Sequence, residues 1–380
     1  MTPATPRVAF DVTPLQNGHR FRGIGRYVRG LAEALNQQDE VPIEFWGWDG
    51  ERPLQPGARH SGQWIARSPL TPQYRAEFLF ARAGMRRHAA RSDAPVVHVS
   101  DPSALVALAG RCLLTTVHDL TPSYEGFSAR QFLRKRAYDS YLRTLPRVDR
   151  VFAVSQSTAD DLVSLLSLDP RNIAVAPNGL SIRPRAAPLT RPRPYFLYFS
   201  GPDRNKNFDL LLEALALHPE LPEDLVVTGR WLEHTVNALD KRVASNPTLH
   251  GRVTHLGYVD DEKLCALMAG ATAVVVPSRR EGFGYPVAEA MAAGAAVAHS
   301  DIPAMREVSA GAAVTFDPGS AVELGNLLVR LSTDPGLRAE LRRTGLARAE
   351  RFTWERALEV TLETYREELR RANASSQAAR

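Results

Sequence analysis

The stretch SIRPRAAPLTRPRPYFLYFSGPDRNKNFDLLLEAL, residues 181–215, decides the fold. Its first part, 181–194, holds four prolines and four arginines and follows neither a strand nor a helix period. Proline fixes φ and removes a donor, so this part reads as an exposed linker. A short aromatic run, YFLYFS, comes next, then the polar loop SGPDRNKN, then the amphipathic run NFDLLLEALALH. A strand–loop–helix unit thus begins afresh in mid-chain.

Working outward, the same alternation occupies both halves. Upstream, VAFDV, IEFWGW, PVVHVS, LLTTVHDL, VFAVS and IAVAP read as strands; downstream, DLVVTG, VTHLGY, AVVVPS, AAVAHS and AAVTF do. Segments such as GRYVRGLAEAL, STADDLVSLL and DDEKLCALMAGA lie between them with helical periodicity. Alternating β and α over this length predicts parallel sheets covered by helices on both faces, and hence an α/β chain of two Rossmann-like domains. The expected boundaries are 1–183, 184–355 and a terminal helix, 356–371, packing back on the first domain, with a frayed polar tail over 372–380. Ligands in such sheets bind outside the carboxyl ends of the strands, so a cleft between the domains is the expected active site.

Composition narrows the class. The chain has 380 residues, 44% hydrophobic and 23% charged, which is soluble globular usage and enough for two cores. No apolar run reaches the roughly 20 residues that span a bilayer, and MTPATPRVAF lacks the apolar centre of a secretory signal, so a cytoplasmic location is expected. Cys112 and Cys265 have no metal-ligand spacing. The net charge of +5 is uneven: residues 1–185 hold 24 Lys and Arg against 17 Asp and Glu. A basic half suits anionic lipid, nucleic acid or a phosphorylated small molecule, and arginines dispersed in this way also suit an arginine-rich proteome. No recognition-helix, zinc or RNP signature supports nucleic acid. YRAEFLFARAGMRRHAAR and ARQFLRKRAYDSYLRTLPR mix arginine with aromatics as interfacial helices do.

Four constellations carry chemistry. In SRREGFGYPVAEAMAAG, residues 278–294, a strand runs into a loop and Pro286 stands as the expected first helical residue. Gly282 and Gly284 let backbone approach a ligand at a helix N-terminus that favours an anion, with Glu281 in the loop and Glu289 one turn into the helix. In SGPDRNKN, Arg204 and Lys206 precede a helix as two cations suited to a diphosphate, without P-loop spacing, and Asn207 reads as a helix cap. Gly23 and Gly25 in GIGRY form an expected flexible loop before a helix starting near Arg26; the third glycine of a dinucleotide fingerprint is missing. His118 and Asp119 end the strand LLTTVHDL, where they could position a sugar, share a proton, or form a buried structural pair. Ser157 with Asp160 reads as a capping box.

Together these motifs resemble the nucleotide-sugar glycosyltransferases of family four. Glu281 and Glu289 look like that family's E-x7-E signature, Arg204 and Lys206 like its phosphate clamp, and GIGRY, VHDL, VSQSTADDL and APNG like its other landmarks. The resemblance implies the GT-B fold and retaining, metal-independent transfer of a hexose, with mannose the first candidate, from a GDP- or UDP-hexose to a glycan or lipid-linked acceptor, with no cofactor. It implies that Lys206 and Arg204 neutralise the donor diphosphate, that Glu289 binds the ribose, and that Glu281 binds the transferred sugar. Gly282, Phe283, Gly284, Pro286 and Val287 would hold sugar and phosphate, and Gly257, Tyr258 and Val259 the base. His118 would face the donor sugar, and Gly23 and Gly25 the β-phosphate. Three rival readings stand beside this one: a glycosidase using the same glutamates, which needs opposed carboxylates that one short segment does not offer; a sugar-nucleotide 2-epimerase of the same fold; and a non-catalytic protein whose basic first half meets an anionic membrane.

Overall fold

A computed structural model of the chain describes residues 7–21, 23–47, 54, 60–61, 77–101, 104–126, 132–181 and 187–378. The chain divides into two compact units, Met1–Ser181 with Thr353–Arg380, and Ile182–Phe352.

Among the described residues, the first unit has strands β1 (Val8–Asp11), β2 (Ile43–Trp46), β3 (His60–Ser61), β4 (Val96–Val99), β5 (Cys112–Val117), β6 (Arg150–Ala153) and β7 (Ile173–Val175). They form one parallel sheet in the order β3-β2-β1-β4-β5-β6-β7. Helices α1 (Gly23–Gln37), α2 (Glu77–Ala89), α3 (Thr121–Glu125), α4 (Phe132–Thr144) and α5 (Gln156–Leu166) connect them. Successive residues of a strand point to opposite faces, so Val8 and Phe10 join one apolar layer while Ala9 joins the other. Burial on both faces is why these strands read as continuous β-branched runs.

The second unit repeats the plan. Strands β8 (Tyr195–Tyr198), β9 (Asp224–Val227), β10 (Val253–His255), β11 (Ala273–Val276), β12 (Val297–Ser300) and β13 (Val314–Phe316) form a parallel sheet ordered β10-β9-β8-β11-β12-β13. Its helices are α6 (Phe208–Ala216), α7 (Glu233–Ser245), α8 (Asp261–Gly270), α9 (Tyr285–Ala292), α10 (Pro303–Ser309), α11 (Ala321–Thr333) and α12 (Pro335–Ala349). In each sheet the winding reverses once, between β1 and β4 and between β8 and β11. Loops leaving the strand ends at such a reversal diverge and leave a crevice.

The terminal helix α13 (Trp354–Ala378) belongs to the first unit, where Leu362, Tyr365 and Leu369 enter the same apolar layer as α1. Trp354 seats its ring where only glycine fits: a Cβ on Gly30 would lie 1.9 Å from that ring and one on Gly179 2.5 Å. Arg150 secures the helix further on, its Nε donating to Glu368 at 2.9 Å and its Nη2 to Glu367 at 2.7 Å.

Several local expectations are corrected. Helix α1 starts at Gly23, so Gly23 and Gly25 occupy its first turn instead of a loop; a Cβ on Gly25 would meet the His19 carbonyl oxygen, only 2.4 Å away, which explains the residue by packing. The cap of α5 is Ser155, whose Oγ accepts the Thr158 N–H at 3.0 Å, and Ser157 lies inside the helix. Pro286 is the second residue of α9, still within the turn where a missing N–H costs nothing. Asn207 precedes α6 with a left-handed φ of 52° and sends its amide to the Pro318 carbonyl at 3.0 Å rather than capping the helix. The polar tail is helical as far as Ala378. Of the linker, 187–194 carries neither strand nor helix, and 182–186 lie outside the described residues, as do 74–76 and 129–131 of the two arginine–aromatic segments.

Candidate active site

The reversal between β8 and β11 gathers the second unit's charged motifs. After β8 the chain makes a 3-10 turn, Arg204–Lys206; after β11 it runs through 277–284 into α9. Lys206 Nζ donates to Glu281 Oε1 at 2.6 Å, both side chains being largely buried. The backbones are tied as well: Asn205 Nδ2 donates to the Arg280 carbonyl at 2.9 Å, and the Arg279 N–H to the Asn205 carbonyl at 2.8 Å. Arg204 is exposed on the same turn. A cation and a carboxylate expected to serve different parts of a ligand therefore meet directly, each fixing the other's rotamer.

Behind them stands the N-terminus of α9. Gly284 takes a φ of 98°, which only glycine adopts readily, and turns the chain into the helix. Its end directs a positive dipole toward the loop, a setting that favours phosphate. Glu289 is buried one turn on, 5% exposed, and Val287 is fully buried. Phe283 packs its ring edge-on against Tyr285 and Phe352, with centroids 5.2 and 5.4 Å apart, so its side chain serves the core and its backbone is what the loop offers a ligand.

Gly257, with φ 71°, turns the chain after β10, and its carbonyl accepts from Thr228 Oγ1 at 2.6 Å and from the Gly229 N–H at 3.0 Å. Tyr258 beyond it is 59% exposed, and the Arg230 guanidinium lies 4.2 Å from its ring centroid. Sequence reading missed Arg230 and Asn205. Asn205 sits inside the quoted DRNKN motif, whereas Arg230 lies 28 positions before Tyr258 with no motif around it.

In the first unit His118 follows β5 and hydrogen-bonds through Nε2 to the Ser100 carbonyl at 3.0 Å. A carbonyl only accepts, so Nε2 carries the proton and the neutral ring keeps its lone pair on Nδ1. Burial lowers the His118 pKa and favours that neutral form. Asp119 does not complete a pair with it; its Oδ1 accepts the Thr121 N–H at 2.9 Å and starts α3. At the reversal between β1 and β4, Asp11 is fully buried. It accepts from the Thr13 N–H at 3.0 Å and from Thr13 Oγ1 at 2.7 Å, while Ser100 Oγ donates to the Asp11 carbonyl at 2.7 Å. Burial raises the Asp11 pKa to about 7, with nearby Asp101 adding to the shift. Among the described residues no group of three or more His, Cys, Asp or Glu is arranged to hold a metal ion.

The Glycosyltransferase Family 4 profile matches residues 21–183, and the profile of Glycosyl transferases group 1 matches 184–348. The chain is 27% identical to O-antigen chain mannosyltransferase B of Escherichia coli over 67% of its own length and 70% of that protein's. Another Escherichia coli mannosyltransferase matches 60% of this chain but only 30% of its own length. Sucrose-phosphate synthase from Thermosynechococcus elongatus superposes with a TM-score of 0.79 at 22% identity, covering 95% of this chain and 98% of that one. HepE from Anabaena, solved with UDP and glucose, gives 0.74 at 18% identity over 95% of this chain and 100% of that one. Two profiles meeting where the β/α pattern restarts, and a fold shared over nearly the whole length, place the chain among the family 4 glycosyltransferases with the GT-B architecture.

Proposed function

We propose that the chain is a retaining hexosyltransferase that takes a hexose, mannose foremost, from a nucleoside-diphosphate sugar and delivers it to a glycan or lipid-linked acceptor. The second unit takes the donor and the first unit the acceptor. The observation that carries the reading is the Lys206–Glu281 contact of 2.6 Å in front of the α9 N-terminus. Glycosyl transfer builds negative charge on the departing diphosphate, and a fixed cation with a helix dipole stabilises that charge without reorganising. Arg204 adds a second, exposed cation.

The same reading gives the other residues their roles. Glu281, held by Lys206, accepts hydroxyl hydrogens of the transferred sugar in this reading, and Glu289 those of the ribose. The backbone of Gly282, Phe283 and Gly284, with Pro286 and Val287 opening the helix behind it, borders sugar and phosphate. Tyr258 and Val259, after the turn at Gly257, lie along the base, and Gly23 and Gly25 at the start of α1 approach the β-phosphate. His118 offers Nδ1 toward the donor sugar. Mannose is favoured by the mannosyltransferase relative. Peripheral contact with anionic lipid is favoured by the exposed Arg86, Arg87, Lys135 and Arg136 on α2 and α4; among the described residues no helix is long and apolar enough to cross a membrane.

A thermal-shift panel of GDP, UDP and their hexose conjugates tests the donor, since a ligand that binds only the folded state raises the melting temperature. The expected result is a rise with one base that Lys206→Ala abolishes; no rise with any nucleotide would overturn the reading. NMR of the product, showing the anomeric configuration of the donor kept, tests retention, and inversion would refute it. Incubation with donor alone should leave the sugar unepimerised.

A further inference from the structure

The apolar layer between α13, α1 and the first sheet contains one unbroken polar line. Tyr365 Oη on α13 stands 2.6 Å from His98 Nδ1 on β4; His98 Nε2 stands 2.8 Å from Thr116 Oγ1 on β5; Thr116 Oγ1 stands 2.8 Å from Tyr27 Oη on α1. All four residues are at most 2% exposed. A neutral imidazole has one donor and one acceptor nitrogen, so His98 donates at one of its two contacts and accepts at the other, and the hydroxyls of Thr116 and Tyr27 turn to complete the third. The line ends on the Tyr27 ring, which meets the His118 ring edge-on with centroids 4.9 Å apart. The other side of His118 is held by the Ser100 carbonyl.

We infer that Tyr365, His98, Thr116 and Tyr27 are positioning residues, whose hydrogen bonds fix the Tyr27 ring and through it hold the His118 ring in the orientation transfer requires. The inference rests on the reading of His118 given above. Aliphatic side chains would seal the layer between helix and sheet equally well, and a buried polar line is tolerated only when every member is satisfied. What the line adds is direction: Thr116 can meet both neighbours only if Tyr27 stands in one place, and Tyr27 in that place leaves His118 one setting. The rings of Phe10 and Phe152 enclose His98 at 5.0 and 4.8 Å. Burial holds its pKa down, at about 3, so the imidazole stays neutral and the line intact across the working pH range.

The test is a cycle in the full-length protein between Tyr365→Phe, which deletes the hydroxyl farthest from His118, and His118→Ala. Loss of one hydrogen bond of this kind should lower kcat by about five- to tenfold with donor KM held within about twofold. In the His118→Ala background the same change should have almost no further effect. Leu369→Ala, which loosens the same helix without touching the line, should lower the melting temperature and spare kcat. The His118 imidazole resonances should move in Tyr365→Phe and stay in place in Leu369→Ala. Additive losses in the cycle, or an unmoved His118 signal in Tyr365→Phe, would overturn the inference alone; near-normal turnover of His118→Ala would overturn the reading of the site and the inference with it.

Discussion

The two reversal points occupy the same topological place in their sheets and have been finished in opposite ways. Between β1 and β4, Asp11 is wholly buried, accepts two hydrogen bonds from Thr13, and has the Ser100 hydroxyl on its own carbonyl. Between β8 and β11 the contact is an ion pair, Lys206 with Glu281, whose side chains keep 24% and 12% of their surface in solvent. Topology supplies a crevice at both places. Side chains decide whether it is sealed by buried hydrogen bonds or left as an ion pair that solvent still reaches.

The largest effect expected from breaking this contrast is at the open point. Lys206→Ala should lower kcat by about 10²–10³-fold, the usual loss when one donor to a developing anion is removed, while the melting temperature stays within a few degrees of the parent's. Steady-state kinetics beside calorimetry decides it, and a variant with near-normal turnover would remove the clamp. Asp11→Ala should do the reverse, costing about 1–3 kcal/mol because the Thr13 N–H and hydroxyl lose their shared acceptor in a buried place, while Ser100 keeps the backbone carbonyl. Hydrogen exchange of β1 and β4 peptides should rise with the β8 to β13 peptides unchanged; exchange that rises in both units would deny that the seal is local.

A pH series sharpens the contrast. Burial lowers His98 and His88 to about 3, so the unfolded chain binds protons that the folded one refuses; their stabilisation is complete above pH 6.5 and is lost as pH falls toward 3. Asp11, raised by burial to about 7, works oppositely: its contribution is complete below the ordinary carboxylate value of 3.8 and is lost as pH rises through 7. With His118 also lowered by burial, three histidines stand against one carboxylate and make the first unit lose stability on acidification, and His98→Gln should flatten that slope by one proton, about 1.4 kcal/mol per pH unit. Unfolding midpoints between pH 4 and 7 read it; an unchanged slope would show that His98 takes up its proton without unfolding. Smallest of all, Ser155→Ala removes the α5 cap far from either reversal and should cost about 1 kcal/mol with no change in turnover, setting the scale for the others.

Much of this was legible in the sequence. Strands buried on both faces must be written as β-branched or aromatic runs, so every long strand stood out; β3, His60–Ser61, has only two residues and no apolar run to announce it. Glu281, Gly284 and Lys206 could be found because a strand end, a glycine turn and a helix start lie within a few residues of one another. What stayed hidden depends on partners far apart in the chain. Lys206 and Glu281 are 75 residues apart, and His98 and Tyr365 are 267 apart, so neither contact leaves a local pattern. His118 and Asp119, adjacent in sequence, suggested a pair, yet the strand geometry sends one toward Ser100 and the other to Thr121. The start of α1 was misread because two glycines look like a loop when the surface against which they pack is out of view.

The membership of α13 in the first unit has a consequence for how the molecule is made. A ribosome delivers residues in order, and domains generally fold as units while the chain emerges. The second unit, Ile182–Phe352, is a continuous stretch and can close as soon as it leaves the exit tunnel. The unit translated first must wait with the part of its apolar layer beside α1 uncovered until Trp354, Tyr365 and Leu369 follow the second unit, so a nascent chain stalled before residue 354 would expose those apolar side chains to chaperones.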